Sequence, residues 1–259
     1  VGKKYGEIWG YKVDGLFRND KEAAEYASRI DLSTVASGYY TATGAYGKGV
    51  RGGDIKYLDL NGDNIVNGGK GTLDDPGDRR VIGNSSPRYQ YGASLNFSWY
   101  GFDVSVFMQG IGRLDWYPGA DNLRFWGPYC RPYATFVPKN FMSQVWSEEN
   151  PDAYFPRARA YTSLNSNSGT AYYTNDRYLQ NLAYCRLKNL TIGYTIPRRL
   201  TSKVGIKECR IYFSGENLAT WSALKSDFLD PEQAAADSDK KANVYPWCKT
   251  YSIGLNLTF

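Results

Sequence analysis

The stretch KTYSIGLNLTF, residues 249–259, alternates strictly between two kinds of side chain. Small or polar residues occupy every second position. The positions between them are apolar or aromatic: Tyr251, Ile253, Leu255, Leu257 and Phe259. Successive side chains of a β-strand point to opposite faces, so this period of two predicts a strand with one apolar and one polar face.

The same alternation recurs along the chain. YGASLNFSWYG (91–101) and FDVSVFMQG (102–110) follow each other directly and predict a hairpin that turns at Tyr100 and Gly101. Together with the final stretch and the segments below, they predict an all-β, antiparallel fold of about six strands. The remaining segments of this kind are NLTIGYTIP (189–197), CRIYFSGEN (209–217) and EIWGYKVDG (7–15).

The composition excludes several classes of site. Of 259 residues, 16% are aromatic and 27 are glycine, which favours twisted sheet with many turns. Histidine is absent, so a histidine-containing catalytic triad, a histidine zinc site and a facial-triad iron site are excluded. The net charge of +5 is spread without a basic run and indicates no nucleic-acid partner.

Cysteine spacing and hydropathy add two further limits. Cys130, Cys185, Cys209 and Cys248 form no CxxC motif, which argues against a zinc ribbon or a redox motif and leaves their pairing open. No run of 18 apolar residues predicts a membrane helix, and residues 1–20 lack the apolar core of a signal peptide. A membrane β-strand needs only about 9–11 alternating residues, so a membrane location stays open.

Between the strands, the sequence predicts two helices and one long excursion. The helices are expected at Asp20–Ser28 and Pro138–Glu148. Residues 110–182 form an aromatic, proline-rich and asparagine-rich connection whose length is typical of functional loops.

Two architectures explain the alternating strands. A soluble, secreted β-sandwich, binding glycans through exposed aromatic rings, would pack its apolar faces together and present charged outer faces to water. Here the polar faces carry mainly Ser, Asn, Thr and Gly, which suits the interior of a wide barrel whose apolar face meets lipid. Aromatic residues also stand near the strand ends, as in a membrane-boundary girdle: Trp99, Tyr100, Tyr194, Tyr251 and Phe259.

An ordered set of phrases covers nearly the whole chain and resembles the C-terminal part of SusC/RagA-type TonB-dependent outer-membrane transporters. The phrases are IWGYKVDGLF (8–17), GDIKYLDLNGD (53–63), DRRVIGNSSPRYQYG (78–92), GFDVSVFMQGIG (101–112), YCRLKNLTIGYTIP (184–197), RIYFSGENLATWS (210–222), DPE (230–232) and YPWCKTYSIGLNLTF (245–259).

The resemblance implies a barrel of about 22 strands in the bacterial outer membrane, closed inside by an N-terminal plug. It also implies import of glycans or oligopeptides, a SusD-like surface lipoprotein as partner, energy from TonB, and no enzymatic activity. Residues 1–259 would then supply about six C-terminal strands of the wall and the long extracellular loops, in contact with outer-membrane lipid. Because no plug segment is seen, we expect the chain to be a piece of a longer protein.

One segment has the composition of a metal-binding loop. DLNGDNIVN (59–67) places hard oxygen ligands at alternate positions, as calcium loops do, although the twelfth position is Lys70. Asp78, after an insertion at 68–77, would supply the final acid, with Asp74 and Asp75 as competitors. The sequence therefore predicts a structural Ca²⁺ site, and the alternative is an Asx-turn loop that bonds to itself. The predicted ligands are Asp59, Asn61, Asp63, Ile65, Asn67 and Asp78.

Several other residues are candidates for ligand contact or catalysis. Trp116, Trp126 and Tyr129 in the long excursion are predicted to contact substrate or the lipoprotein lid, the alternative being that they pack the loop. Neighbouring acids such as Glu148 and Glu149 are interpreted as solvated charges. A carbohydrate-active enzyme is therefore the least favoured function.

Overall fold

The computed structural model describes residues 2–41, 49–130, 137–159, 162–164, 169–226, 228–236 and 247–259. The chain forms two compact units. The loop unit comprises Val1–Ser86, Asp115–Gln180 and Asp237–Asn243, and the sheet unit comprises Pro87–Leu114, Asn181–Ala236 and Val244–Phe259.

The described chain is mainly β, as predicted. Its strands are β1 (Glu7–Tyr11), β2 (Val13–Leu16), β3 (Ile55–Tyr57), β4 (Arg79–Asn84), β5 (Arg88–Trp99), β6 (Phe102–Arg113), β7 (Asp115–Trp116), β8 (Gln180–Asn181), β9 (Tyr184–Thr195), β10 (Glu208–Ser222) and β11 (Thr250–Thr258). The α-helices are α1 (Asp20–Ala27), α2 (Ser33–Thr41), α3 (Leu123–Trp126), α4 (Arg198–Thr201) and α5 (Pro231–Ala236). Within the described ranges, no helix is both long enough and apolar enough to cross a membrane.

The sheet unit contains one antiparallel sheet in the order β11-β10-β9-β6-β5. The predicted hairpin between β5 and β6 is confirmed. Its two turn residues, Tyr100 and Gly101, have φ angles of 47° and 87°, the left-handed conformation that tight hairpins require. The strands at 189–197 and 209–217 are also confirmed, and both extend beyond the predicted bounds.

The pairing register aligns the apolar residues of all five strands in rows. One row runs straight across the sheet through Phe97, Val104, Ile192, Phe213 and Ile253. The opposite face carries a parallel row of small polar residues: Asn96, Ser105, Thr191, Ser214 and Ser252. The sequence alternation of each strand therefore becomes two chemically distinct faces of one sheet.

The apolar face is exposed in this structure. Leu95 has 64% of its surface accessible and Ile253 has 83%, while Ile192 and Leu255 are also exposed. The soluble sandwich would bury these side chains against a second sheet, and the structure does not support it.

The expected sixth strand at 7–15 does not join this sheet. It is divided into β1, which pairs with β4, and β2, which pairs with β3. The buried residues Tyr11, Leu16 and Phe17 explain the difference, because their side chains pack into the core of the loop unit. The five-stranded sheet therefore replaces the six wall strands that the sequence predicted.

The helix predictions had different outcomes. The helix at 20–28 is confirmed as α1, and Asn19 caps it by accepting the N–H of Glu22 at 2.9 Å. The helix predicted at 138–148 is wrong: only a short 3₁₀ turn at Met142–Gln144 forms there. After that turn the backbone forms hydrogen bonds with a distant segment instead of within a helix: Phe155 donates its N–H to the Gln144 carbonyl at 2.8 Å.

The long excursion folds around an aromatic core. The rings of Phe125, Trp126, Phe155 and Tyr178 contact one another, with centroids of Trp126 and Tyr178 5.0 Å apart in an edge-to-face arrangement. Such contacts stabilise beyond simple burial by about 0.5–1.5 kcal/mol per pair. The described parts of residues 115–180 are therefore a packed structure held by aromatic contacts with little regular secondary structure.

Candidate functional site

The segment 59–67, called the acidic loop below, begins with Asp59, whose carboxylate holds the backbone in a tight turn. Its Oδ1 accepts the N–H of Gly62 at 2.7 Å and its Oδ2 accepts the N–H of Asn64 at 2.9 Å. Burial alone would raise the pKa of Asp59, but these backbone donors outweigh it and lower the pKa. Asn64 takes the left-handed conformation, φ 65°, in which glycine or asparagine is favoured.

Asn61 and Asp63 continue the curl. The Asn61 amide donates to Asp63 Oδ2 at 2.9 Å, and Asp63 Oδ1 accepts the N–H of Ile65 at 2.8 Å. The structure thus brings the side-chain oxygens of Asp59, Asn61 and Asp63 into one short turn. Carboxylate and amide oxygens are the ligands that calcium prefers, so these three residues could hold a cation.

Asp78 ties the two ends of this loop together. It is completely buried, and its carboxylate accepts the N–H of Leu60 at 2.7 Å and of Asn67 at 2.8 Å. Asn67 in turn accepts the N–H of Gly69 at 2.7 Å. The carboxylate of Asp78, the predicted final ligand, therefore accepts backbone N–H groups from both ends of the loop. No cluster of three or more His, Cys, Asp or Glu side chains suited to a metal occurs in the described part of the chain.

The aromatic residues predicted to contact a ligand lie inside the loop unit. Trp116, Trp126 and Tyr129 are 6%, 0% and 1% exposed. Trp126 donates its indole N–H to the Gly119 carbonyl at 3.0 Å, and the Tyr129 hydroxyl donates to the Pro156 carbonyl at 2.5 Å. Their rings are therefore enclosed by the protein, which supports the alternative that they pack the loop.

The polar face of the sheet carries an ion pair between Asp103 and Arg210. Arg210 Nε donates to Asp103 Oδ1 at 2.9 Å, and the pair reaches across β9 above Gly193. A Cβ at Gly193 would stand 2.5 Å from Asp103 Oδ1, so only glycine leaves room for the bridge. The sequence alternation places Asp103 and Arg210 on the polar faces of their strands, but it does not predict that the two residues pair.

A second charged group joins β9 to α5 in the sheet unit. Arg186 is 1% exposed and forms ion pairs with Asp230 and Glu232, the latter at 2.6 Å. Lys188 Nζ also lies 2.7 Å from Glu232 Oε1. The DPE phrase at 230–232 is the sequence signal for this contact, although nothing near it in the sequence indicates Arg186 as the partner.

No disulfide joins any two of the four cysteines, all of which lie in the described ranges.

Comparisons with known proteins agree with this architecture. TonB-dependent receptor P26 of Formosa agariphila is 28% identical over 215 residues, covering 80% of this chain and 20% of the relative. TonB-dependent receptor P3 of the same organism is 25% identical over 267 residues, covering 100% of this chain and 22% of the relative. The predicted resemblance to SusC/RagA-type TonB-dependent transporters is confirmed. No protein-family model matches the chain.

Solved structures show the same fold. The RagAB peptide transporter superposes with a TM-score of 0.55 at 19% identity, covering 98% of this chain and 23% of that chain. The RagAB peptide importer in its open-open state superposes with a TM-score of 0.54 at 19% identity, covering 98% and 22% of the two chains. The chain spans about a fifth of the length of the curated TonB-dependent receptors that it matches.

Proposed function

We propose that this chain forms wall strands and extracellular loops of a TonB-dependent nutrient importer in the bacterial outer membrane. The exposed apolar face of the five-stranded sheet carries the proposal. A water-soluble protein rarely leaves several neighbouring strands with large apolar side chains uncovered, because each buried apolar side chain contributes about 1.5–3 kcal/mol. If lipid hydrocarbon covers that face, its apolar side chains are not exposed to water.

The opposite face supports the same placement. Its central row of Asn, Ser and Thr side chains is small and hydrogen-bonding. Such a row suits the interior of a barrel too wide to be filled by its own side chains, where water or an inserted domain meets the wall. The Asp103–Arg210 pair on this face would be costly in lipid and is stable beside water.

The two edges of the sheet indicate that further strands complete the wall. In the described ranges, the outer edges of β5 and β11 pair with no strand. In hydrocarbon each unpaired backbone group costs several kcal/mol, so we propose that strands from the rest of a longer protein pair with both edges. The barrel of about 22 strands expected from the resemblance would satisfy them.

The proposed cargo and partners rest on the family resemblance and on the names of similar proteins. Two similar structures are named as a peptide transporter and a peptide importer, and the curated relatives are named as TonB-dependent receptors. We propose a SusD-like lipoprotein that covers the mouth, energy from TonB, and a glycan or oligopeptide cargo. No catalytic step is assigned to this chain.

We also propose that the turn formed by Asp59, Asn61 and Asp63 binds a structural Ca²⁺. Calorimetric titration of Ca²⁺ into the chelator-treated full-length protein tests this. Binding lost in a double Asp59→Asn, Asp63→Asn variant and kept in Glu149→Gln, which changes an exposed acid outside this loop, would support the site. No Ca²⁺ binding in the chelated wild type would exclude it.

Deletion of the gene in its host tests the import function. Growth on the imported glycan or oligopeptide as nutrient should be lost, and it should return with the full-length gene. The full-length protein should fractionate with outer membranes. Recovery of the full-length protein as a detergent-free soluble species would contradict the proposal.

A further inference from the structure

The loop unit contains a half-open cleft of about 360 Å³. No residue that the sequence predicted as part of a binding site lines this cleft. Its volume lies at the lower end of the range for small-ligand sites, about 300–1,000 Å³. One charged side chain and four aromatic rings meet in it. The lining residues are Trp9, Gly10, Tyr11, Arg79, Tyr172, Tyr173 and Thr174.

Arg79 is held in place from two sides. Its Nε donates to the Tyr11 hydroxyl at 3.3 Å, and its Cζ lies 5.3 Å from the centre of the Tyr11 ring. The backbone of Gly68 packs against the guanidinium, so that a Cβ at Gly68 would stand 2.8 Å from Arg79 Cζ. This fixed side chain presents a planar, positively charged group to the cleft.

The guanidinium has donors to spare. Arginine carries five N–H donors, and Tyr11 uses only the one on Nε. Among the described residues, no carboxylate lies within ion-pair distance of Arg79. Its terminal N–H groups therefore suit the carboxylate of a ligand, which they can bind in a two-bond geometry.

The aromatic walls are also fixed. Trp9 donates its indole N–H to Glu7 Oε2 at 3.0 Å, and Lys3 Nζ lies 4.5 Å from its ring centre, so that a carboxylate and an ammonium group both hold the ring. The Tyr173 hydroxyl donates to the Thr34 carbonyl at 2.8 Å. Rigid ring faces of this kind can pack against the flat C–H face of a sugar ring at little entropic cost.

The strand edge beside the cleft is already occupied. Tyr11 of β1 donates its N–H to the Thr174 carbonyl at 2.9 Å and accepts the N–H of Asp176 at 3.2 Å. The other edge of β1 pairs with β4. A peptide that added a strand here, the mode that gives peptides most of their backbone hydrogen bonds, would therefore have to displace both of these bonds.

We propose that the cleft binds a saccharide unit that carries a carboxylate, with Arg79 pairing with the carboxylate and Trp9 packing against the ring. The Thr174 side chain and backbone groups of the lining would meet the sugar hydroxyls. Selection of acidic glycans as cargo rests on the proposed import function, whereas binding by the cleft does not.

Calorimetric titration of the purified full-length protein with glucuronate and with glucose tests the proposal. The two sugars share a ring, and only glucuronate carries the carboxylate. Glucuronate should bind at least tenfold more tightly, and Arg79→Gln should weaken it by roughly tenfold to a hundredfold without affecting glucose. Equal binding of the two sugars by the wild type would overturn the proposal.

Arg80→Gln is the matched control. It removes the same charge from the next residue, whose guanidinium donates to the Gly77 and Arg79 carbonyls and does not line the cleft. Glucuronate affinity should stay within about twofold. An equal loss in both arginine variants would contradict the assignment, since it would indicate only a long-range charge effect.

Three further measurements complete the test. Trp9→Ala leaves Arg79 in place and should weaken glucuronate binding, which provides a second test if Arg79→Gln fails to fold. Unchanged binding in Trp9→Ala would overturn the proposal, as would equal affinity for an acidic dipeptide of the same charge. Normal binding by a protein that supports no uptake would contradict the import function and leave the cleft assignment supported.

Discussion

Ile253→Arg tests which solvent covers the apolar face. β11 has nine residues, and Ile253 is the fourth, one position from the centre. Nine residues rise about 30 Å along the strand, and a tilt of about 40° reduces this to about 23 Å, close to the apolar band of outer-membrane barrels. Ile253, 83% exposed, would then lie about 3 Å from the bilayer midplane.

At that depth an arginine on the lipid face costs about 2–4 kcal/mol. The full-length variant should therefore lose folded protein in outer membranes, and its heat-modifiable band on gels should unfold at lower temperature than the wild type. Ile253→Ala controls for the lost side chain alone. Ser252→Arg is the matched variant on the opposite, polar face and should be tolerated.

The effect of Ile253→Arg on assembly distinguishes a lipid-covered face from a water-exposed one. On a water-exposed surface, replacing an exposed isoleucine by arginine is nearly neutral. If Ile253→Arg assembled as well as the wild type, or Ser252→Arg were the more damaging change, lipid could not be the solvent of this face.

Three further predictions concern buried charges. Arg186→Met should destabilise the packing of α5 by about 3–5 kcal/mol, because two carboxylates lose their buried partner, and limited proteolysis after β10 should speed up. Asp78→Ala should leave backbone donors of the acidic loop unpaired, at about 1–3 kcal/mol, and raise their hydrogen-exchange rates. Burial raises the pKa of Asp54 to about 6 despite its ion pair with Arg159, so this group's contribution to stability should fall as pH rises from about 4 to 6, and a urea-midpoint series should lose that slope in Asp54→Asn.

The strands were predictable because their information is local. Side-chain direction alternates within each strand, so the apolar residues of 91–101 and 249–259 identify a face without knowledge of any partner. The hairpin turn was equally local, since Tyr100 and Gly101 take conformations that the tight turn itself requires. Strand order and length needed the pairing of distant segments, which periodicity does not encode.

The errors occurred where distant contacts decide the structure. Trp126 and Tyr129 lie in a segment without a regular period, so no pattern distinguishes a core ring from a ligand-binding ring there. The helix predicted at 138–148 does not form, because the backbone there forms hydrogen bonds with Phe155 instead. The cleft joins Trp9, Arg79 and Tyr172, which are so far apart in the sequence that no motif could have grouped them.

Spin-label accessibility measures the central claim most directly. Nitroxides placed by Ile192→Cys and Thr191→Cys, on neighbouring positions of the central strand β9, would be compared in a full-length variant with its native cysteines replaced and reconstituted in lipid bilayers. The label at 192 should collide mainly with oxygen dissolved in the hydrocarbon, and the label at 191 mainly with a water-soluble nickel complex. Equal nickel accessibility at both positions, or the reverse pattern, would contradict a lipid-facing apolar surface.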